Sequence, residues 1–196
     1  MPLEFPTDPQ HGAGKVPPDF TKLMPSRSGL SLFRREQEPR LDDSRPHKVY
    51  TVGLDDLIAG KLLSAAKLIA WRYFVLDASG NVIGGTEFQP APRTPETSPA
   101  ILTPRFTTRG PLTEATAAAI QTAETLEDVQ EQAYEVRLLQ ITAVYFIGLW
   151  LHGVSRDLIV PIGNTPQGLE PNKPYSEAEI IGVLQPIARR NKDFNS

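Results

Sequence analysis

"WRYFVLDASGNVIGGTEF", residues 71–88, decides how the chain is read. Two runs rich in aromatic and β-branched residues flank a four-residue connection, 78–81, in which Gly80 can take a positive φ. The pattern predicts a β-hairpin. Folding the two runs about that connection sets Arg72 opposite Glu87, an opposite-charge cross-strand pair expected to add a few tenths of a kcal/mol.

A second hairpin is expected over 143–162. Residues 143–151 are rich in Val, Ile, Tyr, Phe and Trp, and "DLIVPI" is another β-prone run. Gly153 between them suits a turn, and Pro161, which cannot donate to a ladder, places the last run at a sheet edge or end. Within this stretch, "LHGVSRD" sets His152, Ser155 and Asp157 side by side, the residue types of a nucleophilic hydrolase. Catalytic triads assemble from distant segments, and the strand–G-x-S-x-G–helix elbow is absent. The reading adopted is a hairpin bend.

Outward from the hairpins, Leu112, Ala115, Ala119, Ala123, Leu126, Val129, Ala133 and Val136 hold a 3.6-residue stripe. They predict a long helix over 113–137 with Thr113 as its cap. "KVYTV" reads as a short strand, and 54–67 as a helix that Gly60 weakens in the middle. At the C-terminal end, Ser176 and Glu179 stand at capping-box spacing, and Pro186 is expected to kink or end the helix they open. The fold class is therefore α+β: an antiparallel sheet of about four strands from two hairpins (71–88 and 143–162), with helices on a single face and a short C-terminal helix.

The 19 prolines of this 196-residue chain are unevenly spread. Positions 2, 6, 9, 17, 18, 25, 39 and 46 make residues 1–46 a proline-rich arm, extended or disordered, ahead of a single domain over 47–196. The arm's apolar anchors are Leu30, Leu32 and Phe33, next to Arg34 and Arg35. A second proline-rich stretch, 89–111, reads as a long surface loop carrying Arg105 and Arg109. These seven residues are the candidate partner contacts.

Composition narrows the function classes. No cysteine means no disulfide, thiolate metal site or cysteine nucleophile. A net charge of −3 gives no electrostatic case for nucleic acid or an anionic membrane. The most apolar window, 138–151, is shorter than the roughly 20 residues of a membrane-spanning helix. No basic segment followed by an apolar one opens the sequence, so a cytoplasmic location is expected. Other motifs fail on their partners. "SAAK" at 64–67 lacks S-D-N and K-T-G. "AGK" at 59–61 lacks the first glycine and the hydroxyl of a phosphate loop. "DASGN" at 77–81 lacks the length and terminal glutamate of a calcium loop. His11, His47 and His152 have no helical pairing for a metal, and Trp71 and Trp150 read as sheet-face residues. No catalytic, cofactor-binding or metal residue is nominated. The expectation is a non-catalytic protein acting through protein–protein contacts (adaptor, assembly, regulatory or immunity-type subunit), compatible with a homo-oligomer. Two alternatives stand beside it: a small-molecule-binding domain with a pocket between sheet and helix, and a hydrolase using scattered carboxylates.

Overall fold

The computed structural model describes residues 3–6, 40–42, 45–90, 102–108 and 110–194, with the backbone alone at 90 and 102–108. In chain order these form β1 (Leu3–Glu4), β2 (Arg40–Leu41), β3 (His47–Thr51), α1 (Leu54–Ile58), a 3₁₀ turn at Leu63–Ala65, β4 (Lys67–Leu76), β5 (Val82–Pro90) and β6 (Leu102–Thr108). Then come α2 (Pro111–Ala123), α3 (Glu127–Glu131), β7 (Tyr134–Ile141), a 3₁₀ turn at Thr142–Val144, β8 (Phe146–Gly153), β9 (Asp157–Pro161) and α4 (Glu177–Phe194).

Both expected hairpins form. β4 and β5 pair antiparallel with Arg72 opposite Glu87, and β8 and β9 pair antiparallel with His152 opposite Asp157. The sheet around them is larger than expected and mixed. Among the described residues it has nine strands, in the order β6-β5-β4-β3-β7-β8-β9, with β1 on β7 and β2 on β4. β3 joins the two hairpins, antiparallel to β4 and parallel to β7.

The expected helix over 113–137 divides. α2 ends at Ala123, α3 is a single turn, and Tyr134–Ile141 is a strand. The helical stripe misled because Val136 belongs to a two-residue alternation as well: Val136 and Leu138 face one core, Leu139 and Ile141 the other. Thr113 does not cap α2. Gly110, at φ 107°, precedes the helix, Pro111 opens it, and Thr113 lies buried on its inner side. The expected loop over 89–111 contains β6, whose Pro104 is tolerated because β6 is an edge strand. Residues 54–67 form the short α1 and a 3₁₀ turn, so Ser64 and Lys67 of "SAAK" do not share a helix. In the second hairpin, β8 begins at Phe146; 142–144 is the 3₁₀ turn. α4 opens with the expected capping box: the Glu179 carboxylate accepts from the Ser176 amide at 2.8 Å and from its hydroxyl at 2.7 Å. Pro186 lies inside α4 and does not end it.

Helices cover both faces, not one. Ala119, Ile120 and Ala123 of α2 pack with Val49, Ala70, Phe74, Val136, Leu149 and Val160. On the other face Ile180, Leu184 and Ala188 of α4 pack with Leu139, Phe146, Trp150 and Ile159. α2 is rich in alanine, so its axis can lie close to the sheet. No helix among the described residues is long and apolar enough to cross a membrane.

β3, five residues long, separates two longer neighbours, β4 of ten and β7 of eight. Beyond His47 it leaves the end of β4 and the start of β7 without it. β2 pairs with the first at Leu41–Val75, and β1 pairs with the second at Leu3–Tyr134. Leu3 and Leu41 are both buried, so the described ends of the proline-rich arm belong to the domain core.

The β8–β9 bend is sterically tight. A Cβ at Gly153 would stand 2.5 Å from the Arg156 carbonyl oxygen and 2.6 Å from the Tyr134 ring. Gly153→Ala is expected to destabilise by about 2 kcal/mol in urea denaturation, because the backbone on one side cannot yield. An unchanged midpoint would contradict this packing.

Candidate functional site

The structure places the nominated partner residues unevenly. Leu30, Leu32, Phe33, Arg34, Arg35 and Arg109 lie outside the described residues; Arg105 lies on β6, the last strand of the sheet among the described residues. His11 also lies outside.

His152 and Asp157 do meet: Nδ1 of the imidazole is 2.7 Å from the Asp157 carboxylate, which also accepts from the Gly153 amide at 3.3 Å. Ser155 is not their third member. Its hydroxyl donates to Gln132 Oε1 at 2.7 Å. The imidazole side chain is 43% exposed, and the neighbouring Arg156 pairs with Asp128 of α3. The His152–Asp157 pair fastens a hairpin, without the hydroxyl–base contact that nucleophilic catalysis needs.

Polar chemistry concentrates instead in two places. The first lies inside, between the sheet and α2. Arg72 Nη1 donates to Glu87 Oε1 at 2.9 Å, with both side chains essentially inaccessible. Arg72 Nη2 donates to Thr113 Oγ1 at 3.1 Å, and Gln140 Nε2 reaches Glu87 Oε1 at 3.4 Å. Gln140 on β7 thus reaches Glu87 on β5 across β3 and β4. Gly85 makes room for the guanidinium: a Cβ there would meet Arg72 Nη2 at 3.0 Å. Burial works to lower the Arg72 pKa, and the Glu87 charge opposes that shift.

Beside Arg72 in the ladder is His47, wholly buried. Its Nδ1 faces the Arg45 carbonyl at 3.2 Å and therefore carries the proton, and its ring stands 5.4 Å from that of Phe74. Nε2 has no hydrogen-bond partner among the described residues. Burial, reinforced by the charge of Arg72, holds the imidazole pKa down at about 4. The histidine is neutral at pH 7.

The second place is the surface beside α4. The connection between β7 and β8 turns at Tyr145, which holds a left-handed backbone (φ 52°, ψ 37°) and is 85% exposed. Tyr145 borders a depression of about 560 Å³ whose apolar part is Val144, Val183 and Ile187, with Asn164, Gln167 and Arg190 around it. Asn191 of α4 holds the connection in place, donating to the Ala143 carbonyl at 2.7 Å.

On the face shared with α4, residues opposite one another form a row, Trp71–Lys48–Arg137–Trp150. Arg137 lies over the Trp150 ring at 4.5 Å and the Tyr50 ring at 5.3 Å. Lys48 and Arg137 both donate to Glu135, at 3.1 and 2.7 Å. Partial burial works to raise the Glu135 pKa, but those two hydrogen bonds and charges hold it below its usual value. The tryptophans are sheet-face residues, as read from sequence.

His47 packs on Phe74 in the α2 core and His152 on Trp150 on the opposite face, so the sheet separates them. Among the described residues, no group of three or more His, Asp or Glu is placed to hold a metal ion.

Comparison with known protein families, with curated proteins and with solved structures finds no match for this chain.

Proposed function

We propose that the chain is a non-catalytic protein that works through contacts with a protein partner, and that Tyr145 and Arg190 anchor that contact. The carrying observation is Tyr145. A left-handed backbone costs an L-residue about 1–2 kcal/mol, which glycine does not incur. The chain nevertheless keeps a tyrosine there, and its ring is given to solvent. Stability is not what this residue serves.

Tyrosine and arginine around an apolar floor are the residue types that dominate binding energy at protein interfaces. The fitting partner segment presents an apolar side chain to Val183 and Ile187 and a carboxylate to Arg190. The β6 end of the sheet supports the same reading: among the described residues no further strand pairs with it, and an unpaired strand edge is a template for another chain. Tyr145→Gly should raise stability by about 0.5–1 kcal/mol while weakening partner capture. Arg190→Glu should weaken capture with stability unchanged. Quantitative affinity capture beside urea denaturation checks both. Equal recovery of the same partner by the wild type and both variants refutes the assignment.

A second reading, a small-molecule site between sheet and α2, is favoured by one observation: the buried Nε2 of His47, an acceptor without a donor among the described residues, beside a buried ion pair. Native mass spectrometry of the purified chain tests it. A retained ligand that His47→Phe releases would support it, and an unliganded mass in the wild type would exclude it.

A further inference from the structure

The N-terminal strand is seated in the sheet without being built into it. β1 contributes two residues, paired parallel to β7 as Leu3–Tyr134 and Glu4–Glu135. Leu3 is buried, and Phe5 packs partly buried against the same core, so the segment is read as apolar, polar, apolar. Two features weaken its hold. Its ladder is short, and the second pair sets one carboxylate beside another, an arrangement that disfavours pairing. Glu135 is already engaged by Lys48 and Arg137. They ease the repulsion, but Glu4 gains no counter-charge of its own from that arrangement.

The receiving edge belongs to the rest of the fold. Tyr134 is fully buried, and β7 is held by β8 along its whole length and by β3 over Arg137–Gln140. Between the described segments 3–6 and 40–42 lie residues 7–39. A stretch of that length can extend to roughly 110 Å. The covalent connection therefore does not dictate which molecule's β7 receives a given β1.

We infer that β1 is an exchangeable strand, and that the β7 edge at Tyr134 and Glu135 accepts Leu3 and Glu4 of a second copy of this chain. Reciprocal exchange keeps the described contacts of β1, so what opposes it is the effective concentration of the tethered strand. For tethered modules that is on the order of millimolar, so exchange sets in when copies are gathered to comparable local concentration, as within an assembly. The inference does not depend on the surface at Tyr145.

The natural absence of cysteine gives a clean test. Glu4→Cys and Glu135→Cys are made singly and together and treated with a short bis-maleimide. The double variant should cross-link within one molecule at micromolar concentration. The two single variants, mixed at about 1 mM, should give a covalent dimer roughly ten-fold above a mixture of Glu4→Cys with Glu170→Cys, and the yield should fall on dilution. Adding Leu3→Ala to the Glu4→Cys chain should remove most of that dimer, whatever it does to the donor's own fold. Cross-linking of the double variant with no excess dimer between the singles overturns the exchange. Failure of the double variant to cross-link overturns the seating of β1 itself.

Discussion

Arg72→Met is expected to destabilise the protein by about 3–5 kcal/mol in urea denaturation at pH 7, the largest loss from any single substitution considered. The reason is what remains behind. Glu87 would stay in a site where 1% of its side chain is accessible, having lost the guanidinium 2.9 Å away. A buried, uncompensated carboxylate either stays charged at high cost or takes up a proton at a cost nearly as large. The pair itself adds far less than its removal costs, because desolvating two ions offsets most of their attraction. Arg72→Met with Glu87→Leu should therefore recover most of the loss, ending within about 1 kcal/mol of the wild type. If the double variant is as unstable as Arg72→Met alone, the contacts to Thr113 and Gln140 matter more than charge compensation, and the pair is not the organising element described here.

The second large effect is a loss of stability in mild acid that belongs to His47. Its imidazole, at an ordinary pKa of 6.5 when unfolded, is held at about 4 in the fold. Between those values the unfolded chain binds a proton that the folded chain refuses, so falling pH favours unfolding. The contribution is complete above pH 6.5 and is lost as pH drops toward 4, at about 1.4 kcal/mol per pH unit and about 3 kcal/mol in all. The charges around His47 set the direction: Arg72 and Arg45 oppose its protonation, and Asp42 favours it. Carboxylates such as Glu135, held below the ordinary 4.5, lose their contribution at lower pH, below that value. Urea midpoints from pH 7.5 to 4.5 should therefore fall in the wild type and stay nearly flat in His47→Phe. Parallel curves for the two would show that His47 is not held neutral by burial.

Local pairing was legible in the sequence, and long-range assembly was not. The register that sets Arg72 against Glu87 followed from the position of one glycine, because a hairpin's turn fixes its own ladder. The depth of that pair did not follow. It was read as a cross-strand pair worth a few tenths of a kcal/mol, whereas both side chains are essentially inaccessible and Arg72 also donates to Thr113 of α2. β7 was missed because "YEVRLLQI" satisfies helical and strand periods at once, and the apolar stripe of α2 ran on into it. β6 was hidden by Pro104, which tolerates the ladder only from an edge.

The bend reading of "LHGVSRD" rested on the geometry required of a triad. It agrees with Ser155 donating away from His152, although the close His152–Asp157 contact was not anticipated. His47 carried no signal, since a lone histidine opening a strand is ordinary until the fold buries it. Tyr145 was equally silent. Only a positive φ at a non-glycine residue, visible in three dimensions, singles it out.

Contact through Tyr145 and Arg190 is what the functional account stands on. Its most direct test replaces Tyr145 by the photoreactive benzoylphenylalanine in the native host, with Glu170 replaced as the control, followed by irradiation. The account predicts one discrete covalent adduct from position 145 that is absent from position 170 and is lost when Arg190→Glu is added. No adduct at 145, or the same adducts from both positions, would contradict it.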